Sequence, residues 1–226
     1  MATERLVTLA QFRTQIEQQR VSRQINEIVV HHTWKPSAAD YRGIDTVRGV
    51  RRYHVGVRGW SDNGYHVMIG PDCSIFLCRP IARAGAHVAG RNAHTIGVSF
   101  IANFDHEEPT GYRGLRAGQQ AIAALLERFN LGLNAIRFHR EFAPKTCPGM
   151  KLGLAQFRRE VGEVQGRGSR VRPKVVLLPE SSVIECDAVV NDGVTRAALR
   201  PVVEALGYRI FDHRAEQGKL YLRRRQ

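Results

Sequence analysis

Apolar, strand-like runs that alternate with helix-like segments constrain the fold of this chain more than any other feature. Residues 26–34 (NEIVVHHTW) and 94–104 (HTIGVSFIANF) are rich in β-branched residues and predict buried strands. Residues 45–56 have amphipathic helical spacing, and residues 116–132 place apolar side chains on one helical face before a terminal glycine. This alternation predicts an α/β domain with a central mixed β-sheet flanked by helices.

Three further segments complete this predicted domain, which we place at residues 1–165. Apolar residues at helical spacing predict an N-terminal helix over residues 6–20. Residues 64–80 (GYHVMIGPDCSIFLCRP) predict a β-hairpin with its turn at residues 70–72, where Gly, Pro and Asp follow one another. Residues 135–139 (AIRFH) predict one more short strand.

The composition changes near residue 165, which predicts a second domain. Residues 166–173 are rich in Gly and Arg without periodicity, as in a linker. Residues 174–226 contain two strand-like runs, a helical segment and two more strand-like runs, and predict a small α+β module of order ββαββ. Residues 191–222 resemble the small N-terminal domain of some copper amine oxidases, which also occurs attached to bacterial envelope proteins. The resemblance implies cell-wall anchoring or dimerisation; the module has no cluster of metal-binding residues, so we expect no copper.

The net charge of +13 predicts a polyanionic partner. The arginines are scattered and no zinc-finger, helix-turn-helix or RNP motif is present, which disfavours nucleic acid and leaves anionic lipid or the acidic polymers of a bacterial envelope. No apolar run approaches the roughly 18 residues of a membrane helix, so we expect no membrane span. The first twenty residues lack the apolar core of a signal peptide, which predicts synthesis in the cytoplasm without an export signal.

The four cysteines are too few for a scaffold held together by disulfides. Cys73 and Cys78 are close enough in sequence to pair across the hairpin turn, and their pairing stays open, although buried free thiols are the interpretation that we favour. Cys147 differs from both because it lies in a polar loop with basic neighbours, an environment that stabilises a thiolate.

The loop at residues 138–149 (FHREFAPKTCPG) is a candidate functional site. Pro144 and Pro148 exclude a regular helix or a central strand, and loops that collect polar side chains are often sites. His139 and Cys147 are both types of metal ligand, but eight residues separate them. The loop must therefore fold back on itself before the two can bind one ion, and the prolines would favour such a bend.

A catalytic zinc site needs a third protein ligand, and the strand at 26–34 offers one. His31 and His32 lie at its end, where only one of the pair can face a given site because strand side chains alternate between faces. The alternative is that such a histidine is a hydrogen-bonded polar residue at the end of a strand. The spacing alone leaves both interpretations open.

Four segments in order extend this reasoning: IVVHHT, GYHVMIGPD, HTIGVSFIANFD and FHREFAPKTCPG. Together they resemble the zinc-dependent N-acetylmuramoyl-L-alanine amidases of the type-2 family, which includes phage lysozyme-amidases and animal peptidoglycan recognition proteins. The resemblance covers residues 25–152. It implies one Zn²⁺ per chain, with His31, His139 and Cys147 as its ligands.

The same resemblance implies that Tyr65 and Lys145 are catalytic. The implied activity is that of a peptidoglycan hydrolase, in which zinc-activated water cleaves the amide between N-acetylmuramic acid and L-alanine. Tyr65 would hydrogen-bond the water or the developing oxyanion, and Lys145 would supply a positive charge to that oxyanion. Two positions depart from the family pattern: Cys73 stands where glycine is usual, and Val67 replaces a common aromatic residue.

The function expected from this resemblance is that of an endolysin or a wall-remodelling amidase, acting at the cell wall after holin-type release. One alternative is a peptidoglycan-binding protein without catalysis. The presence of Cys147 disfavours it, because inactive peptidoglycan recognition proteins commonly lack that cysteine. Another alternative is a cytosolic amidase that recycles muropeptides, and the basic surface favours the intact anionic wall over such small fragments.

Overall fold

The computed structural model describes residues 4–167 and four strands of the C-terminal part, residues 174–178, 183–185, 208–214 and 219–224. The chain divides into two compact units, Met1–Val164 and Gln165–Gln226. None of the helices in these described ranges is both long enough and apolar enough to cross a membrane.

The first unit is built on a six-stranded mixed β-sheet. Its strands are β1 (Arg5–Val7), β2 (Glu27–His32), β3 (Val67–Ile69), β4 (Ile75–Leu77), β5 (Thr95–Phe100) and β6 (Ile136–Phe138). They lie in the order β1-β4-β3-β5-β2-β6. β2 runs parallel to β5 and β6, β3 runs parallel to β5, and β4 is antiparallel to both β3 and β1. The central mixed sheet predicted from the sequence is therefore confirmed.

Within the described residues 4–167, four α-helices flank this sheet: α1 (Leu9–Gln18), α2 (Ile44–Gly56), α3 (Gly114–Arg128) and α4 (Leu154–Arg167). Apolar residues of α1, α3 and α4 join one core cluster, whereas Val47 and Val50 of α2 pack with Met68 and Phe76 in a second cluster. Because Val67 and Ile69 belong to the first cluster and Met68 to the second, the two clusters lie on opposite faces of the sheet.

The close packing of α3 on the sheet requires a glycine. Gly118 of α3 lies directly against the ring of Phe100 on β5, and a Cβ at this position would overlap that ring. The ring of Phe100 also contacts the rings of Phe104 and Phe157 edge to face. Helix α3 therefore approaches the sheet more closely than any larger residue at position 118 would allow.

The N-terminal helix is shorter than the predicted range 6–20. Residues 5–7 form the edge strand β1 instead, because they pair with β4. Thr8 then caps α1: its hydroxyl accepts a hydrogen bond from the Gln11 amide, and the Gln11 side chain accepts one from the Thr8 amide. Helix α4 was not predicted, and it continues to Arg167, two residues into the linker predicted at 166–173. The rest of that linker lies outside the described residues.

The hairpin predicted at residues 64–80 is confirmed as the antiparallel pair β3–β4. In its turn the Cys73 amide donates to the Gly70 carbonyl, and Cys73 has a φ of 72°. A positive φ favours glycine, which adopts it without steric cost, and this is a physical reason for the glycine that the resemblance leads us to expect at this position. Cys73 is exposed and Cys78 is buried, and neither forms a disulfide. The expectation of buried free thiols thus holds for Cys78 and is wrong for Cys73.

In the part of the second unit that the structure describes, four strands form one sheet. Its strands are β7 (Lys174–Leu178), β8 (Val183–Glu185), β9 (Tyr208–Arg214) and β10 (Lys219–Arg224), in the order β8-β7-β10-β9. β10 is parallel to β7 and antiparallel to β9, and β7 is antiparallel to β8. These strands agree with the four strands of the predicted ββαββ order, while the helix predicted between β8 and β9 lies outside the described residues.

Candidate metal centre

His31 lies on β2, the strand between β5 and β6. Ile28 and Val30 of this strand face the core under α1 and α3, so alternation turns His31 to the opposite face of the sheet. His31 is only 1% exposed. His32 faces the other way, and its Nδ1 accepts a hydrogen bond from the Phe104 amide. The two adjacent histidines thus have different surroundings because of strand geometry.

The loop after β6 brings His139 and Cys147 to His31. The ring centroids of His31 and His139 are 4.5 Å apart, and Cys147 Sγ lies 3.6 Å from His31 Nδ1. Arg140 holds the loop folded back, since its amide donates to the Cys147 carbonyl over 2.8 Å. Its guanidinium donates to the carbonyls of Gly149 and Leu152, each over 2.7 Å. An arginine therefore stabilises the fold-back that sequence reasoning attributed to the prolines.

Asp105 holds the same loop from its other side. Its two carboxylate oxygens accept hydrogen bonds from the Thr146 hydroxyl over 2.7 Å and from the Met150 amide over 2.9 Å. These two bonds, with the coulombic effect of His32, keep the pKa of Asp105 below its usual value against the opposing effect of burial. Cys147 therefore lies between Thr146 and Met150, both of which are anchored by Asp105.

The three side chains fit a metal ion. One ligand atom each from His31, His139 and Cys147 lies within 4.8 Å of the other two. Zinc is bound by histidine nitrogen and cysteine sulfur at about 2.0–2.3 Å, so tetrahedral ligands lie about 3.3–3.8 Å apart. The 3.6 Å between Cys147 Sγ and His31 Nδ1 falls in that range. Two imidazoles and one thiol also leave a fourth position open, which is typical of catalytic rather than structural zinc sites.

Burial controls the protonation of these three groups. It lowers the pKa of His31 well below its usual value, an effect that His87 and His139 strengthen. Burial lowers the pKa of His139 to about 4, and Lys145 contributes to this shift. Both imidazoles are therefore neutral at pH 7, as metal ligands must be. Burial also raises the pKa of the Cys147 thiol to about 12. The expected stabilised thiolate is thus wrong for the metal-free chain, in which Cys147 is a protonated thiol.

Tyr65 and Lys145 line the same cavity as His139 and Cys147. A cavity of about 400 Å³ has His139, Cys147, Tyr65 and Lys145 in its wall. The Tyr65 ring centroid lies 5.2 Å from that of His31. Burial, with a further contribution from Cys147, raises the pKa of the Tyr65 hydroxyl, so that it remains protonated at neutral pH. Lys145 is exposed at the mouth of the cavity.

A groove of larger volume adjoins this cavity. Its volume is about 690 Å³, and it shares Thr33, Trp34 and Tyr65 with the smaller cavity. Two large aromatic side chains in its wall are exposed to solvent, Trp34 by 58% and Tyr53 by 52%. Trp34 has a φ of 60°, in a tight turn closed by the Lys35 amide and the Thr33 carbonyl. An exposed aromatic residue in a strained conformation indicates a surface for a ligand.

Sequence reasoning missed the position of His87. From the sequence alone His87 receives no role, whereas the structure buries it behind His31. His87 Nδ1 lies 3.1 Å from His31 Nε2. The Asn92 side chain accepts from the amides of His87 and Val88 and so stabilises the loop, and His94 is exposed. No local pattern reveals the contact between His31 and His87, because 56 residues separate the two.

Comparison with known proteins agrees with this geometry. The chain is 31% identical over 128 residues to peptidoglycan-recognition protein SC1a of Drosophila melanogaster, covering 55% of this chain and 68% of the relative. It is 31% identical over 130 residues to the human N-acetylmuramoyl-L-alanine amidase, covering 55% of this chain but only 22% of that longer protein. The solved structure of the endolysin LysCS from Clostridium intestinale, an N-acetylmuramoyl-L-alanine amidase, is 27% identical with a TM-score of 0.51, covering 62% of this chain and 84% of that one.

The match to a family model covers strands β2 to β6, the loop and every residue of the candidate centre. This model, Amidase_2, is described as N-acetylmuramoyl-L-alanine amidase and matches residues 21–150, more than half of the chain. With this match, the fold and the grouping of His31, His139 and Cys147, we conclude that the chain belongs to the N-acetylmuramoyl-L-alanine amidase family.

Proposed function

We propose that this protein is a zinc-dependent N-acetylmuramoyl-L-alanine amidase that hydrolyses the bond between N-acetylmuramic acid and L-alanine in peptidoglycan. The observation that carries the proposal is the convergence of His31, His139 and Cys147 within 4.8 Å beside a cavity lined by Tyr65 and Lys145. A binding protein needs neither a metal site with an open position nor these two side chains next to it.

Each residue of the centre has a separate role in this proposal. His31, His139 and Cys147 would hold the zinc ion, which when bound polarises a carbonyl group and lowers the pKa of water. Tyr65 keeps its proton because burial raises its pKa, and it donates a hydrogen bond to the oxygen of the scissile amide. Lys145 places a positive charge near the same oxygen, where negative charge develops as the carbonyl carbon becomes tetrahedral.

Peptidoglycan as the substrate is supported by the groove and by the relatives. The groove of about 690 Å³ leads away from the cavity and exposes Trp34 and Tyr53, which suit the stacking of sugar rings or the packing of peptide methyl groups. The net charge of +13 suits an anionic wall. Among the relatives are a peptidoglycan-recognition protein and an endolysin, so action at the cell wall, as a bacteriolytic or remodelling enzyme, is the role that we infer.

Two further parts of the expected function remain proposals. We place the catalytic domain at 1–165, the linker at 166–173 and an anchoring or dimerising module at 174–226. Comparison of wall binding by the whole chain and by a chain lacking 174–226 tests the anchoring role. Release through a holin-made opening is the route that we propose if the chain is a phage endolysin.

The experiment that tests the enzymatic proposal is digestion of purified cell wall, followed by mass spectrometry of the products and metal analysis of the protein. We expect one zinc per chain and the release of stem peptides with a free L-alanine amine. Cys147→Ser should lose both zinc and activity, whereas Lys145→Ala should keep zinc and lose turnover. His94→Ala changes an exposed histidine outside the centre and serves as the control.

The alternative functions predict different products. If the zinc-loaded protein binds wall but leaves every glycan–peptide bond intact after long incubation, the chain is a peptidoglycan-binding protein and the enzymatic proposal is wrong. If it cleaves small muropeptides but not intact wall, the recycling amidase is the better description. Lysis by Cys147→Ser as fast as by the unchanged protein would show that the assigned centre is wrong.

A further inference from the structure

His31 has two ring nitrogens, and both face a partner. Nδ1 faces Cys147 Sγ at 3.6 Å, and Nε2 faces His87 Nδ1 at 3.1 Å. A neutral imidazole carries a proton on only one of its nitrogens. A proton on Nδ1 would occupy the position that a metal needs, whereas a proton on Nε2 would leave Nδ1 free. What determines the tautomer of His31 therefore determines whether the centre is ready for a metal.

A chain of hydrogen bonds behind His31 determines that tautomer. It ends at the carbonyl oxygen of Arg91, which can only accept, so the Thr95 hydroxyl donates to it over 3.0 Å. The Thr95 oxygen then accepts from His87 Nε2 at 3.4 Å, which puts the His87 proton on Nε2 and leaves its Nδ1 bare. His87 Nδ1 must in turn accept from His31 Nε2. The His31 proton thus lies on Nε2, and the lone pair of Nδ1 points toward Cys147.

The reverse orientation of this chain is less favourable. It would require the Thr95 hydroxyl to donate to His87, and the carbonyl of Arg91 would then lose the Thr95 proton. The Thr95 hydroxyl lies closer to the Arg91 carbonyl, at 3.0 Å, than to His87 Nε2, at 3.4 Å, so its proton favours the carbonyl. The direction of this chain of hydrogen bonds is therefore determined by the Arg91 backbone carbonyl, which lies three hydrogen bonds away from His31.

The fold also holds the His87 ring in place. A Cβ at Gly97 would lie 2.7 Å from two atoms of this ring, and a Cβ at Gly85 would lie 2.5 Å from one. The ring of His66 contacts it edge to face, with centroids 5.7 Å apart. His66 is itself held, because its Nδ1 accepts from the Gly97 amide over 3.0 Å. Two glycines and a fixed histidine thus form a slot that matches one orientation of His87.

We propose that His87 is a positioning residue, which sets the tautomer of His31 so that Nδ1 is free to bind the metal. This inference rests on the proposed zinc site but not on the proposed reaction. Partners of this kind, which accept the second N–H of a ligating histidine, typically change metal affinity 10–100-fold when they are removed.

The most direct test needs no substitution. Nitrogen-15 NMR of the metal-free protein, labelled at histidine, distinguishes a protonated from a bare ring nitrogen by chemical shift. We expect His31 to carry its proton on Nε2 and His87 to carry its own on Nε2. A proton on His31 Nδ1 in the folded, metal-free protein overturns the proposal, whether or not the protein proves to be an amidase.

Zinc affinity, measured by competition with a chelator, is the second test. His87→Ala should weaken Zn²⁺ binding 10–100-fold, and His87→Asn, whose Oδ1 can replace Nδ1 as acceptor, should recover most of the loss. Thr95→Val keeps the packing volume but removes the proton acceptor of His87, and should give mixed His31 tautomers. His94→Ala should bind zinc as the unchanged protein does.

These outcomes separate a positioning role from a packing role. Equal loss in His87→Ala and His87→Asn, with an unchanged His31 tautomer in Thr95→Val, would show that His87 only fills space. If the His87 variants do not fold, the NMR result on the unchanged protein still decides the matter. A correct tautomer and tight zinc binding without hydrolysis would contradict the proposed function and leave this inference standing.

Discussion

Arg140 offers the sharpest test of how the loop builds the centre. Its guanidinium donates to the carbonyls of Gly149 and Leu152 over 2.7 Å and to that of Thr146 over 3.3 Å. The guanidinium also lies 4.8 Å from the ring centroid of Phe138. In Arg140→Met the stem of the side chain can still pack, but all three hydrogen bonds are lost. The perturbation therefore removes the charged group and little else.

The magnitude follows from these contacts. A hydrogen bond from a charged group contributes about 1.5–3 kcal/mol, and the exposed bond to Thr146 is the weakest because water can replace it. Because Arg140 is half-buried, we take the lower end of that range for each of the two short bonds, which gives about 3 kcal/mol of lost unfolding free energy. Loosening the loop should also separate Cys147 from His31 part of the time. We expect zinc binding at least tenfold weaker, a change of about 1.4 kcal/mol.

Arg158 provides a matched control. Its guanidinium donates to the Ile136 carbonyl over 2.6 and 3.0 Å and to the Asn134 carbonyl over 3.0 Å, away from the ligands. Urea unfolding of the metal-free proteins should show similar losses for Arg140→Met and Arg158→Met, whereas chelator competition should show weaker zinc binding only for Arg140→Met. A loss under about 1 kcal/mol in Arg140→Met, or equal weakening of zinc binding in both variants, would refute this reasoning.

Two other predictions concern the groove and the buried histidines. Glycine accepts a positive φ, so Trp34→Gly should leave the unfolding free energy equal or up to about 1 kcal/mol higher, while binding to the cell wall becomes weaker. Trp34→Ala should weaken wall binding equally, without the gain in unfolding free energy. If both variants pellet with cell wall as well as the unchanged protein does, Trp34 does not belong to a ligand surface. In the metal-free protein, burial lowers the pKa of His54 and His139 to about 4 and of His66 to about 3. The unfolded chain, with histidine pKa near 6.5, binds more protons over this interval, so the unfolding free energy should fall as pH drops from 6.5 to 4. Carboxylates such as Asp105, whose pKa is lowered from 3.8, lose their contribution to the unfolding free energy only at lower pH. Urea midpoints that stay constant from pH 6.5 to 4 would therefore contradict the lowered pKa values of the three histidines.

The elements that were predicted correctly are those with strong local signals. The strands β2 and β5 follow β-branched runs, and α3 follows a continuous apolar stripe. Helix α4 was missed, although Phe157 and Val161 have helical spacing, because polar and glycine residues dilute its pattern. Residues 6 and 7 were assigned to a helix because their partner strand β4 lies some seventy residues away and leaves no local trace.

In the candidate centre, too, some features follow from local sequence signals and others arise only from contacts between distant segments. Residue types and spacing pointed to His139 and Cys147 and left His31 and His32 as alternatives, whereas the resemblance to the type-2 amidases implied His31, Tyr65 and Lys145. They could not reveal what holds these residues. The contact between His31 and His87 and the slot between Gly85 and Gly97 exist only once distant segments have packed.

By itself, the sequence determined which chemistry is possible, because it contains two imidazoles, a thiol, a phenol and a lysine in the segments named above. Its apolar pattern also specifies an α/β fold with a mixed β-sheet. The tertiary structure alone decided the state of those groups. It buried the Cys147 thiol and raised its pKa, made the imidazoles neutral, and oriented the His31 proton through His87, Thr95 and a backbone carbonyl. The physical reason is that residue identity sets which protons a side chain can hold, whereas burial and hydrogen-bond partners, which come from distant parts of the chain, set where those protons are.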